Sequence, residues 1–287
     1  MTRQPLRVAI LEAERVLADA GVDSPRVDAE LLAAHVLGVP RGKLPLVPLV
    51  DPEVIVALGA LVTRRARREP LQHLTGDAPI GDITVHVGPG VFVPRPETDL
   101  MLAWCLVALN GVRSPVVVDL CTGSGALALA IANARPDATV HAVEVDTAAL
   151  AWTRRNADAR VLAGDTPIRL HAGDITTPGL LSELDGTVHL VVCNPPYVPE
   201  GTPVPPEVAE HDPHRAVFSG VDGLDAIRHV VPLAARLLAP GGFVAIEHDD
   251  SHEESVPALL SARRVLTDVR DHLDLAGRPR FATARRG

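Results

Sequence analysis

From Pro115 onward the chain alternates short apolar runs with helix-length segments, and this rhythm restricts the fold more than any other feature. Val116-Val117-Val118, Thr139 to Val143, Ile168-Arg169-Leu170 and Val188 to Cys193 read as strands. Phe243 to Ile246, Val265 to Val269 and Phe281 to Ala284 read as three more. Ala126 to Ala134, Thr147 to Ala159 and Leu224 to Leu238 have the length and periodicity of the helices between them. Repeated βα units of this size imply an α/β fold, a doubly wound, mostly parallel, seven-stranded Rossmann-like sheet.

The sequence before Pro115 is of another kind. Leu6 to Ala20 has helical periodicity and stops at Gly21. A second helix starts at Ser24-Pro25 and stops at Gly38, and a third runs from Asp51-Pro52-Glu53 to Glu69-Pro70. A cap followed by proline, and a terminal glycine, are helix punctuation. Residues 1–80 therefore read as a small helical bundle. Ile83, Val85 and Val87 alternate with polar residues before Gly88-Pro89-Gly90 and Val91-Phe92-Val93, so residues 81–96 read as a β-hairpin. The remainder, 97–287, is the α/β domain. Within it the Pro-rich stretch Val198 to Pro213 is long for a connection, which marks a lid or substrate loop.

Composition removes several function classes. The net charge is -9, and residues 1–80 balance ten basic against ten acidic groups, so the whole excess falls on the α/β part. A surface that tracks a phosphate backbone shows the opposite balance. The one basic cluster, Arg64-Arg65-Arg67-Arg68, reads as a solvated helix C-terminus, with a docking patch for an acidic partner as the alternative. Cys105, Cys121 and Cys193 form no C-x-x-C pair, which supports neither zinc nor a disulfide framework. His248 and His252 have metal-pair spacing but lack the H-E-x-x-H pattern, and read as part of an exposed polar loop. No apolar run nears the roughly 18 residues of a membrane helix, so a cytoplasmic protein is expected.

Asp119-Leu120-Cys121-Thr122-Gly123-Ser124-Gly125 lies between the first strand of the sheet and its first helix. Glycines there let a backbone approach a ligand, and the helix start favours an anionic group. Glu144 ends the next strand, where a carboxylate accepts hydrogen bonds from ribose hydroxyls. Asp174-Ile175 follows the third strand, at the level of an adenine. Gly123-x-Gly125-x-x-Ala128 also fits a dinucleotide fingerprint, so a nicotinamide-dependent oxidoreductase is a rival. Asp119 argues against it, because a carboxylate repels pyrophosphate but attracts an ammonium. A ligand with an amino-acid end and a nucleoside end, S-adenosylmethionine, satisfies Asp119, Thr122, Gly123, Gly125, Glu144, Asp174 and Ile175 together.

The fourth strand runs into Asn194-Pro195-Pro196-Tyr197. Asn194 brings a carbonyl acceptor, the prolines lack N–H groups, and Tyr197 adds a flat ring. Such a turn suits a planar NH2 group. Asn194 is thus a candidate for both acceptor and cofactor contact, with Pro195 and Tyr197 as catalytic partners and Pro196 lining the pocket.

With these residues the chain resembles the class I AdoMet-dependent methyltransferases, and more narrowly the HemK/PrmC family of release-factor glutamine methyltransferases. The likeness spans nearly the whole chain. It rests on the N-terminal helices, Pro94-Arg95-Pro96-Glu97-Thr98, the Asp119–Gly125 loop, Asn194-Pro-Pro-Tyr197, Pro206-Glu207-Val208 and Gly220-x-Asp222-Gly223-Leu224. It implies N5 methylation of the glutamine in the Gly-Gly-Gln motif of peptide chain release factors, with the bundle docking the substrate and Arg95 and Glu97 among the substrate contacts. Two departures stand out: Cys121 replaces the usual first glycine of the loop, and Ile80 and Val85 replace hairpin phenylalanines. A ribosomal-protein glutamine methyltransferase and an adenine-N6 nucleic-acid methyltransferase are the alternatives within methyl transfer. The second would need a basic groove.

Overall fold

A computed structural model describes residues 3–287. The chain divides into two compact units, one ending at Asp77 and including Pro205–His211, the other formed by Ala78–Val204 with Asp212–Gly287.

In the first unit a two-residue strand, β1 (Gln4–Pro5), leads into α1 (Leu6–Asp19) and α2 (Pro25–Leu37). Strand β2 (Leu49–Val50), α3 (Pro52–Ala66) and α4 (Leu71–Thr75) follow. Proline opens α2, and Gly38 closes it in the left-handed region at φ 63°, where a side chain would be strained. Leu17, Leu32 and Ala29 are fully buried at the centre of the bundle. The basic cluster departs from expectation. Arg65 is buried and bonds Asp28 at 2.7 Å, and Arg65 and Arg68 reach the two oxygens of Glu207 at 2.9 and 2.8 Å. These guanidiniums hold the chain's own carboxylates, which are distant in sequence.

The second unit begins within β3 (Asp77–Ile80), which is followed by β4 (Ile83–His86), the two joined at Gly81-Asp82. The hairpin thus lies one strand earlier than its residue pattern suggests. Pro89 and Pro94 bracket the downstream run, and proline cannot donate to a ladder; Val91 and Val93 are buried in the core without forming a strand. Gly88 presses on Trp152, where an added Cβ would come within 2.8 Å of the indole.

Next come α5 (Thr98–Ala108), β5 (Val116–Leu120), α6 (Ala126–Ala134), β6 (Thr139–Glu144), α7 (Thr147–Leu162), β7 (Arg169–Ala172) and β8 (Val188–Cys193). The chain continues through α8 (Pro206–His211), α9 (His214–Val217), α10 (Asp225–Leu237), β9 (Leu238–Glu247), α11 (Ser255–Ser261), β10 (Leu266–Leu273) and β11 (Pro279–Arg286). Seven strands form one sheet in the order β10-β11-β9-β8-β5-β6-β7. From β9 to β7 all neighbours are parallel, and β11 and β10 are added antiparallel. Alternation within a strand divides the core: Leu190 and Val192 of β8 face the layer that includes α5 and α6, while Val191 and Cys193 face α10 and α11. Strands buried on both faces explain the unbroken apolar runs of the sequence. Because β5 and β8 are adjacent, with Leu120 paired to Cys193, the Gly-rich loop and the Asn-Pro-Pro-Tyr turn leave the sheet side by side. This is where ligands of such sheets bind.

Candidate active site

Asp119 is the last but one residue of β5 and is 1% exposed. Its Oδ2 accepts from the Thr122 hydroxyl at 2.5 Å and the Ala128 amide at 3.1 Å, whereas its buried Oδ1 has no partner. Burial pushes the carboxyl up to about 7, and the two donors offset only part of that. A buried, unpaired carboxylate oxygen is costly alone, and the natural match for it is a cation such as an α-ammonium group.

The loop beyond it is shaped by left-handed backbone. Gly123 and Gly125 have φ of 59° and 83°, and Cys121 has φ of 57°. A side chain at such a φ costs about 1–2 kcal/mol, which gives a physical reason for the family's glycine at Cys121. A Cβ on Gly123 would meet nothing within 4 Å, so the loop is open there; one on Gly125 would strike Thr153 at 2.8 Å. Gly123 keeps space for a ligand, and Gly125 lets α6 pack on α7.

Glu144 ends β6. Its Oε2 accepts from Gly123 at 2.8 Å, and its Oε1 from Val145 and Asp146 at 2.9 and 2.8 Å. Burial raises its pKa against these donors. A carboxylate offers about four acceptor positions, so the bonds that fix the loop leave capacity on Oε2 for a ribose hydroxyl. Asp174 lies after β7. Thr176 bonds its Oδ1 through both backbone and hydroxyl, and Arg215 approaches its Oδ2 at 3.6 Å. The Thr176 backbone bond is foremost in holding its pKa low. Ile175 is half-buried against the α10 side of the core.

Asn194 follows β8, half-buried, with Pro195 buried behind it. The turn is held by Tyr197 and Val198 amides donating to the Val217 carbonyl at 3.2 and 2.9 Å. Gly223 explains the Gly220-x-Asp222-Gly223 signature, since a Cβ there would lie 2.3 Å from the Tyr197 carbonyl oxygen. The Tyr197 hydroxyl donates to Glu247 at 3.1 Å, and burial drives the phenol pKa well up. Thr98 donates to the other Glu247 oxygen at 2.8 Å and accepts a long bond, 3.5 Å, from Asn194 Nδ2.

Asp119, Thr122, Gly123, Gly125, Glu144 and the Asn-Pro-Pro-Tyr turn converge at the C-terminal ends of β5, β6 and β8. Arg95 and Glu97, the expected substrate contacts, also have partners within the chain. Arg95 pairs with Asp212 and stacks over Phe92 at 4.8 Å, and Glu97 lies 3.9 Å from Arg278. His248 and His252 are buried, not exposed, and at their Nε2 atoms the Asp271 carboxylate and the Asp222 carbonyl accept, each at 2.9 Å. Glu247 was not among the residues singled out by pattern. The available signal was an acidic residue directly after the apolar run Phe243 to Ile246, at the ligand-binding end of a parallel strand.

Sheet order and site together define a class I AdoMet-dependent methyltransferase. Residues 82–210 match the methyltransferase small domain, and residues 9–76 match the PrmC N-terminal domain. The chain is 54% identical over 286 residues to the release factor glutamine methyltransferase of Mycolicibacterium smegmatis, covering 100% of this chain and 99% of that one. It is 51% identical over 285 residues to the enzyme of that description from Mycobacterium tuberculosis, covering 98% and 91%. Among solved structures, a 16S rRNA methyltransferase of T. thermophilus in complex with AdoMet and guanosine superposes with a TM-score of 0.53 at 24% identity, covering 74% of this chain and 50% of that one. That likeness concerns the fold. The chain belongs to the release factor glutamine methyltransferase family. Among the described residues no helix is long and apolar enough to cross a membrane.

Proposed function

We infer that the protein transfers the methyl group of S-adenosylmethionine to the side-chain amide nitrogen of the glutamine in the Gly-Gly-Gln motif of peptide chain release factors. The family supports the reaction, and one observation supports the residue assignment: Asn194 donates its Nδ2 to Thr98 at 3.5 Å, so its Oδ1 is the end of the carboxamide assigned to the substrate. The unpartnered Asp119 Oδ1 suits the donor's ammonium, the open Gly123 backbone its amino-acid end, Glu144 its ribose, and Asp174 with Ile175 its adenine. The bound donor supplies an electrophilic methyl on a sulfonium.

A carboxamide nitrogen is a weak nucleophile because its lone pair is delocalised. Asn194 Oδ1 and the Pro195 carbonyl hold its two hydrogens, aim the lone pair and stabilise the positive charge that grows on nitrogen. Tyr197 and Pro196 flank the amide plane. The N–C bond forms as the S–C bond breaks, and the nitrogen sheds a proton to water. Residues 1–80 serve as the substrate-docking domain, 81–96 as the link and 97–287 as the catalytic domain, in a cytoplasmic enzyme. Labelled S-adenosylmethionine with intact release factor and its Gly-Gly-Ala variant tests the acceptor. Label enters the glutamine protein alone; equal labelling of both overturns the assignment.

A further inference from the structure

We propose that Glu247 is a positioning residue that sets which way the Asn194 carboxamide faces, acting through Thr98. The idea rests on the reading of Asn194 as the substrate's acceptor and explains how that acceptor is kept in register.

The argument is one of proton accounting. An asparagine amide has an accepting end and a donating end of nearly equal size, and rotation by half a turn exchanges them. Only one orientation grips a substrate NH2. Thr98 has a single hydroxyl proton, and the geometry gives it to Glu247 Oε2 at 2.8 Å. What Thr98 then shows to Asn194 is lone pairs only. The Asn194 Nδ2 group satisfies them, at 3.5 Å, and the Oδ1 end does not. The orientation of Asn194 is thereby dictated two bonds away, by a buried carboxylate 1% exposed. The same carboxylate accepts from the Tyr197 hydroxyl at 3.1 Å, so one group anchors both ends of Asn194-Pro-Pro-Tyr197.

Topology makes this possible. Cys193 is paired with Ile246 in the parallel β8–β9 ladder, so Asn194 and Glu247 leave the sheet as neighbours. Thr98 reaches them from the first turn of α5, which gives the last residue of Pro94-Arg-Pro-Glu-Thr98 a definite task. The long Asn194–Thr98 bond is of the kind that tightens when substrate is bound.

Kinetics on the full-length enzyme with release factor decide the matter. Glu247→Gln and Thr98→Val each lower kcat about 100-fold, the scale of a misplaced catalytic group, while the Kd for S-adenosylhomocysteine and the KM for release factor stay within about twofold. Thr98→Ser, which keeps the hydroxyl, recovers kcat to within about threefold of the parent. The double variant is no slower than either single one, because both break one relay. Wild-type kcat in Thr98→Val alongside an inactive Asn194→Ala overturns the relay and leaves the acceptor reading intact. Retained turnover in Asn194→Ala removes the acceptor reading itself. Losses that multiply in the double variant also overturn the relay. Should Glu247→Gln fail to fold, the Thr98→Val and Thr98→Ser pair still decides between a relay and simple packing.

Discussion

At Asp119 the protein stores an electrostatic mismatch that a ligand can relieve. Its carboxyl is raised from 3.8 to about 7. Between those values the folded chain keeps a proton that the unfolded chain has lost. Its contribution to stability is therefore full below 3.8 and is lost as pH rises through about 7. An ammonium beside Oδ1 reverses the preference and favours the ionised form. Affinity for S-adenosylhomocysteine should consequently weaken as pH falls below about 7, by roughly tenfold per unit, with proton release on binding. Calorimetry in two buffers of different ionisation enthalpy measures both. In Asp119→Asn the slope disappears and affinity at pH 8 is already low; an unchanged slope there would remove Asp119 from the ammonium site. Asp119, Gly123 and Glu144 were legible in the sequence because their chemistry is local to strand ends, and Cys121 was legible as a misfit. Glu247 was not, because its meaning depends on β9 lying beside β8, and no local pattern states which strands pair.

Among the elements, β7 is the outer strand of the parallel side, and its union with β6 carries a histidine pair. His141 Nδ1 and His171 Nε2 are 3.0 Å apart, with the rings stacked at 5.1 Å. That bond needs one neutral acceptor nitrogen, so double protonation breaks it. Burial first, then the His171 charge, pushes His141 down to about 4 from 6.5, and His171 is lowered too, again chiefly by burial. An unfolded histidine takes up its proton near 6.5 while the folded one resists until about 4. The pair's stability is complete above 6.5 and declines through that window as pH falls. Asp119 acts with the opposite sign over an overlapping range, so variants must separate them. Melting temperatures of ligand-free protein between pH 7 and 4 should fall less in His141→Gln than in the parent, and more steeply in Asp119→Asn. Equal slopes in His141→Gln and the parent would show that the pair does not set acid sensitivity. Elements of this length and apolarity were read correctly from periodicity. The hairpin was misplaced because Ile83, Val85 and Val87 can pair on either side, and the two-residue Gly81-Asp82 turn decides it, with Gly81 at φ 52°.

On the scale of the whole molecule, the stretch from Val198 to Pro213 is the least predictable part and the most connected. Its length for a connection marked it as a lid or substrate loop. Instead α8 folds as part of the N-terminal unit, where burial pushes Glu207 up but its bonds to Arg68 and Arg65 outweigh this and hold its pKa low. The chain that leaves Tyr197 therefore enters the first unit and returns through Asp212, which Arg95 holds, before reaching Val217, whose carbonyl supports Tyr197. Sequence alone hides this, because Arg65 and Glu207 are 142 positions apart and each looks like an ordinary surface charge. Glu207→Gln keeps the size of the side chain and removes its charge, leaving Arg65 its bond to Asp28 while Arg68 loses its carboxylate partner. A partly buried pair broken this way costs on the order of 1–3 kcal/mol, and the cost falls on the hold of α8. Hydrogen exchange over residues 206–211 should then rise in Glu207→Gln while exchange in β5 and β8 is unchanged. Binding of S-adenosylhomocysteine, for which the proposed site is at β5 and β6, stays at the parent level, and methylation of intact release factor loses efficiency through a higher KM. If exchange over 206–211 does not change, the Arg65–Arg68–Glu207 cluster is not what holds this segment. If kcat falls with KM unchanged, the segment serves the Asn-Pro-Pro-Tyr turn rather than the docking of the substrate.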